Sequence, residues 1–326
     1  MTIAGYTLAL AAATSAAAAP APLPAMKTQQ VSISGLSSGA FMAVQYQVAY
    51  SGSVVGAGII AGGSYYCAQG SMMNAIGSCK GADVAELAAM TRKRAEAGQV
   101  DSVAKLATHR VWMFSGTLDK LVPPASMADL AKYYAAFIPA AQIQYKNDLA
   151  AGHAMPTDSF GNKCDALAPP FINNCGFDAA GNLLQWIYGS LKARGDNAAP
   201  AGKLQEFDQS EFLPSPTTHG MANTGYVYIP PGCEAGAAGC KLHIALHGCM
   251  QDIGTLKDTY ARHAGYNAWA DTNRIVVLYP QTAAITPMPN PKACWDWWGY
   301  DDPDYSVKGG RQLRAIKRMA DRLTGA

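Results

Sequence analysis

The chain has no excess of charge of either sign. Its 25 Lys and Arg against 23 Asp and Glu leave a net charge of +2, and charged residues make up only 15% of the sequence. That composition gives no basic stripe for nucleic acid and no cluster that would hold the chain to an anionic membrane surface. Beyond the N-terminal segment no apolar run reaches the roughly 18 residues a spanning helix needs. Cysteines are present, but never as C-x-x-C, which argues against a zinc ribbon or a thioredoxin-like redox site. No metal and no cofactor are expected. What is there, 32 Gly and six Trp in a nearly neutral chain, suits a neutral, polar or polymeric substrate better than an ionic one.

Residues 6–19 are apolar and Ala-rich, with small residues up to Pro20. This is the pattern of a secretory h-region and an A-x-A cleavage site, although no Lys or Arg precedes it. The expected organisation is therefore a signal peptide and N-terminal extension over 1–25 and a single catalytic domain over 26–326. The protein is expected to be secreted, to the periplasm or beyond. Eight cysteines, an even number, agree with export. They fall in local pairs, Cys67 with Cys79, Cys164 with Cys175 and Cys233 with Cys240, leaving Cys249 and Cys294 for each other. Structural disulfides are the expected use.

Short runs of Val, Ile and Leu predict strands over 31–34, 54–61, 110–115, 142–146, 226–230, 242–246 and 275–279. Helical patterns fall over 40–49, 83–97, 124–136, 183–192, 256–271 and 310–323. Alternation of this kind means an α/β fold, a mainly parallel sheet with helices on both faces. The Gly-, Ala- and Pro-containing segment 194–203 is expected to be a surface loop inside one domain, because neither half alone supplies a complete core.

Residues 35–39, G-L-S-S-G, stand between the first strand and the first helix. In that context G-x-S-x-G is the nucleophile elbow of an α/β-hydrolase, with Ser37 at its centre. A strained turn lifts the hydroxyl above the sheet, and Gly on either side allows the backbones to approach. Ser38 is the alternative nucleophile. The base and its orienting acid should follow in the order Asp, then His. Asp119 comes just past the strand at 110–115, at the sheet edge where ligands bind. His153 comes in a loop after the strand at 142–146. Capping of the helix after Pro123 is the plain alternative for Asp119. For the base, His219 in a Pro/Thr loop is the one serious competitor. His109 precedes its strand, His243 lies inside one, and His263 sits on a helix. A second signal, His247-Gly248 at the end of the strand 242–246, suits a turn that donates an oxyanion N–H. In most α/β-hydrolases that turn precedes the elbow; here it follows, which predicts a circularly permuted sheet.

Taken together, G-L-S-S-G at 35–39, Asp119, G-H-x-x-P-T at 152–157, L-H-G-C-x-Q at 246–251 and C-W-D-W at 294–297 resemble the single-domain, circularly permuted poly(3-hydroxybutyrate) depolymerases. The runs G-Y-N-x-W-A-D-T-N at 265–273 and W-I-Y-G-S-L at 186–191 also match. The resemblance implies a serine esterase acting on a polyester. Ser37 would attack the ester carbonyl, His153 would carry the proton and Asp119 would orient the imidazole. The backbone N–H groups of Ser38 and Cys249 would form the oxyanion hole, and Trp297 would border the substrate crevice. Core or rim packing is the plain alternative for Trp295, Trp297 and Trp298. The Cys249–Cys294 link would tie the oxyanion turn to the Trp loop. The expected partner is the polyester itself, with no nucleic acid or membrane, and the chain is expected to be a monomer. Two other functions fit parts of the pattern: a feruloyl or acetyl esterase of plant polysaccharide, and a secreted binding protein on an inactive hydrolase fold.

Overall fold

A computed structural model describes residues 20–326, apart from 78, 80, 196–199 and 235–236. The expected signal segment up to residue 19 lies outside the described residues. The first strand, β1 (Gln29–Leu36), sets the frame. Its pleat sends Ile33 and Gly35 to one face and Ser32 and Ser34 to the other, and all four are buried. The elements then run α1 (Ser38–Ala49), β2 (Gly56–Ile60), α2 (Met72–Ile76), α3 (Val84–Glu96), β3 (Arg110–Phe114), α4 (Pro124–Ala135) and β4 (Ile143–Lys146). Three short strands follow, β5 (Met155–Thr157), β6 (Asn162–Lys163) and β7 (Ile172–Asn174). The second half holds α5 (Ala179–Tyr188), β8 (Lys203–Asp208), β9 (Thr224–Ile229) and β10 (Lys241–Leu246). It ends with α6 (Ile253–Leu256), α7 (Thr259–His263), α8 (Tyr266–Asn273), β11 (Ile275–Tyr279) and α9 (Arg311–Thr324).

Eight strands form one sheet in the order β4-β3-β2-β1-β10-β11-β9-β8. Pairing is parallel from β4 across to β11; β9 and β8 add an antiparallel edge. Helices α1 and α9 pack on one face of the sheet, α5 and α8 on the other. Every residue of α1 is buried, which explains its lack of charge. In α9 one stripe is buried, through Gln312, Leu313, Ala315, Ile316, Met319, Ala320 and Leu323, and the remaining positions are mostly Arg and Lys.

Several elements depart from the sequence expectation for visible reasons. The predicted helix over 256–271 is three short helices, because Lys257 and Gly265 take left-handed φ values of 53° and 94°. The helix expected over 183–192 is α5, displaced four residues toward the N-terminus. Asp178 caps its start by accepting the Gly181 N–H, and Gly189 with φ 80° ends it. Strand β8 was hidden by its polar composition: it is an edge strand in which only Phe207 is fully buried. Residues before 26 also pack against the domain. Ala21 bridges to Phe207, and Leu23 is buried in the core. Just beyond, the Met26 and Thr28 N–H groups donate to the Arg322 and Leu323 carbonyls at 3.1 and 3.0 Å, so the first strand starts where the last helix ends.

Candidate active site

Ser37 joins β1 to α1 with φ 55° and ψ −125°, a conformation that side chains other than Gly rarely hold. Its neighbours make this possible. A Cβ on Gly35 would lie 2.2 Å from the Gly39 carbonyl, and one on Gly39 would lie 2.4 Å from the His247 carbonyl oxygen. Both positions therefore exclude any other residue, and Gly39 presses the elbow against the end of β10. The Ser37 N–H donates to the Ile60 carbonyl at 3.0 Å, anchoring the turn to β2. The Ser38 hydroxyl accepts the Trp295 N–H at 3.4 Å.

Asp119 and His153 meet as a buried pair. His153 Nδ1 lies 2.8 Å from Asp119 Oδ2. The other carboxylate oxygen accepts the N–H groups of Leu121 and Val122, each at 2.9 Å, so the acid is clamped by backbone. A carboxylate facing Nδ1 keeps the imidazole proton there and leaves Nε2 as the acceptor. The two loops are themselves fastened together. Gly116 lies so close to Ala151 that a Cβ would meet its carbonyl oxygen at 2.1 Å, and the Leu118 N–H donates to that carbonyl at 3.1 Å. Gly152 N–H donates to the Cys164 carbonyl at 2.9 Å, beside the Cys164–Cys175 disulfide.

The His247-Gly248 turn stands beside the elbow, because β1 pairs with β10 in the register Gly35 to Leu246. Three of the four N–H groups from 248 to 251 are taken. Gly248 donates to Gln251 Oε1 at 2.7 Å, Met250 to the Lys292 carbonyl at 2.8 Å and Gln251 to the Gly248 carbonyl at 3.3 Å. The Cys249 N–H has no acceptor among the described residues. Ser38 opens α1, so its N–H is among those a helix leaves without an internal partner. The turn is held from behind. Trp295 Nε1 donates to the His247 carbonyl at 2.9 Å, and a disulfide joins Cys249 to Cys294. The other three expected pairs, Cys67–Cys79, Cys164–Cys175 and Cys233–Cys240, are also formed.

Ser37, Ser38, His153, Cys249 and Trp297 line one cavity of about 250 Å³. Phe41, Phe171, Val122, Met250 and Trp298 complete much of its wall. Trp297 is only 7% exposed and stacks on Phe41 with ring centroids 3.8 Å apart. It is thus wall and packing at once. His219 is elsewhere: its Nδ1 lies 2.8 Å from Asp301 Oδ1, and it does not line this cavity. His243 is buried between Ser32 and Ser34, which drives its basicity down to about 3.

No family model matches the chain. A poly(3-hydroxybutyrate) depolymerase from Delftia acidovorans is 50% identical over 309 residues, 92% of this chain; the chain spans 61% of that relative's length. A polyhydroxybutyrate depolymerase from Talaromyces funiculosus is 39% identical over 301 residues, 88% of this chain and 87% of the relative. The chain belongs to the polyhydroxybutyrate depolymerase family. A solved PHB depolymerase complexed with an R3HB trimer superposes with a TM-score of 0.87 at 35% identity, covering 93% of this chain and 99% of that one. The depolymerase fold here is accordingly α/β-hydrolase-like. Within this depolymerase-family cavity, sequence reasoning did not reach the contributions of α2, Phe41, Phe171 and Gln251. Helix α2 is five residues long and carries no periodic signal. Gln251 was legible as part of L-H-G-C-x-Q, but nothing local reveals what its amide touches.

Proposed function

We propose that this chain is a secreted serine esterase that hydrolyses poly(3-hydroxybutyrate) to oligomers and monomers, with Ser37, His153 and Asp119 as its catalytic triad. The observation that carries the reading is the convergence of a strained serine and a carboxylate-clamped histidine on one apolar cavity, in a chain of this family. Ser37 Oγ attacks the ester carbonyl while His153 Nε2 takes its proton. The oxyanion of the tetrahedral intermediate accepts from the Ser38 and Cys249 N–H groups. The intermediate collapses, the imidazolium returns the proton to the departing alcohol end, and an acyl-Ser37 ester remains. Water then repeats the sequence, freeing the acid and the serine.

The wall supports a neutral polyester. Among the side chains lining the cavity, Ser37, Ser38, His153, Gln251 and Lys292 are polar and the others apolar. The R3HB trimer held by a relative of the same fold supports the same substrate class. Export is supported by four disulfides, which persist in oxidising compartments. Circular permutation is supported by the sheet itself: β1 and β10 are neighbours, and the chain from Met26 meets the end of α9. The test is clearing of a poly(3-hydroxybutyrate) suspension, with soluble 3-hydroxybutyrate products measured, by wild type and Ser37→Ala. Wild type should clear it and the variant should not. Clearing by Ser37→Ala, or release of ferulate or acetate from polysaccharide in place of clearing, would overturn the reading.

A further inference from the structure

Gln251 is fully buried, and all three of its side-chain hydrogen bonds end on backbone, two of them on residues that line the cavity, Gly248 and Phe171. Oε1 accepts the Gly248 N–H at 2.7 Å. Nε2 donates to the Pro170 carbonyl at 2.8 Å and the Phe171 carbonyl at 3.2 Å. These partners fix the amide's orientation, since a donor faces the oxygen and two acceptors face the nitrogen. Each end matters to the chemistry. Gly248 touches the nucleophile: a Cβ built on it would lie 3.2 Å from Ser37 Cβ and 3.0 Å from Gln251 Oε1. The Phe171 carbonyl also accepts the Met155 N–H at 2.9 Å, two residues beyond His153, and Phe171 lines the cavity. The amide therefore ties the oxyanion turn to the Pro170-Phe171 segment, about 80 residues away in sequence, and through the Phe171 carbonyl to the strand that follows His153.

We propose that Gln251 is a positioning residue for hydrolysis, one that aims the Cys249 N–H by engaging the Gly248 N–H and locks that turn to the His153 segment. Without the amide, the Gly248 N–H becomes a second unpaired donor beside the first, and the turn can rotate toward either. An oxyanion is held well only by donors already in place, so a turn free to rotate weakens the transition state more than the bound ester. The inference rests on the serine-esterase reading above.

The test uses the full chain with Gln251→Met, which keeps the volume and removes all three bonds, and Gln251→Glu, which keeps an acceptor for Gly248 but sets a carboxylate against two carbonyls. Competent sites are counted by end-point fluorophosphonate labelling, so turnover is expressed per folded site. On p-nitrophenyl butyrate, Gln251→Met should lose about 10²-fold in kcat with KM changed by less than about threefold. Affinity for an alkylboronic acid, whose tetrahedral serine adduct fills the same hole, should fall by a similar factor. Gln251→Glu should show the same paired loss. Per-site kcat within about threefold of wild type, boronate affinity that stays constant while kcat falls, or failure of both variants to give any labelled site would each overturn the proposal and leave Gln251 a packing residue. A wild type that neither hydrolyses the ester nor takes the fluorophosphonate would instead sink the esterase reading.

Discussion

Replacing Asp119 by Asn separates the orientation of His153 from the mere presence of a polar group. Asp119 meets three donors: the Leu121 and Val122 N–H groups at Oδ1, each at 2.9 Å, and His153 Nδ1 at Oδ2, at 2.8 Å. Asn has one acceptor oxygen. Two backbone donors claim it, so the amide NH2 must face His153. Two donors cannot face each other, and the neutral imidazole must then move its proton from Nδ1 to Nε2. The nitrogen that should accept the Ser37 proton then already carries one. The reverse orientation sets the NH2 against two backbone N–H groups and is worse. A wrong tautomer in such a triad costs about 10⁴-fold in kcat, which is about 5 kcal/mol. Stability should change far less, because both backbone bonds survive; losing one charge-assisted hydrogen bond is worth about 1.5–3 kcal/mol. The assay is kcat/KM on p-nitrophenyl butyrate per fluorophosphonate-labelled site, with Tm measured alongside. A loss under about tenfold, or one explained by a collapse in Tm, would refute the assignment of Asp119 as the orienting acid.

Three further outcomes follow from the structure. The Cys249→Ser/Cys294→Ser double variant opens a link of sequence separation 45, worth about 4 kcal/mol in the chain-entropy model, and it frees the oxyanion turn; Tm and per-site kcat should both fall, and an unchanged kcat would detach the disulfide from catalysis. Trp297→Ala removes a buried ring stacked on Phe41, so stability should drop by about 3–5 kcal/mol together with polymer clearing; unaltered Tm with lost clearing would make it a contact residue alone. His243, held near 3 by burial against about 6.5 unfolded, is stable as the neutral form above that unfolded value, and the stability is lost as pH falls below it. About 2 kcal/mol should go between pH 7 and pH 5. Asp296 opposes this, since burial raises its carboxyl to about 7. Urea melts of wild type and His243→Gln therefore carry the test: between pH 7 and pH 5 the change in stability of the variant should be about 2 kcal/mol more favourable than that of wild type, and an identical pH dependence would refute it.

The elbow was legible because its chemistry is local. Gly35 and Gly39 are required by contacts of 2.2 and 2.4 Å that no other residue could survive, so the motif had to be written in adjacent positions. The buried parallel strands were legible as runs of Val, Ile and Leu. What escaped notice was either polar or too short. Strand β8 is mostly exposed and carries charged side chains, and β5, β6 and β7 are two or three residues each. The run at 256–271 is apolar in the right rhythm, and its breaks lie in two backbone dihedrals rather than in composition. Long-range amide contacts such as those of Gln251 leave no mark on neighbouring residues at all.

Adjacency of the site's parts comes from sheet register. Ser37, Asp119, His153 and the Gly248 turn each follow the C-terminal end of a strand, β1, β3, β4 and β10. Those strands are all parallel, so every such end falls on one edge of the sheet. Between β1 and β10 the pairing is Ser32 to His243 and Gly35 to Leu246. On that face the imidazole meets both serines, at 2.7 Å each, and Ser34 meets the Tyr266 hydroxyl at 2.7 Å. A slip of one residue would turn His243 to the other face and set Leu242 or Ile244 against the serines. Several buried polar groups would lose their partners, each at about 1–3 kcal/mol. The same slip would carry Gly248 about 3.3 Å along β1, away from Ser37. The polar ladder beneath the sheet thus penalises the misalignment that would separate Ser37 from the His247-Gly248 turn.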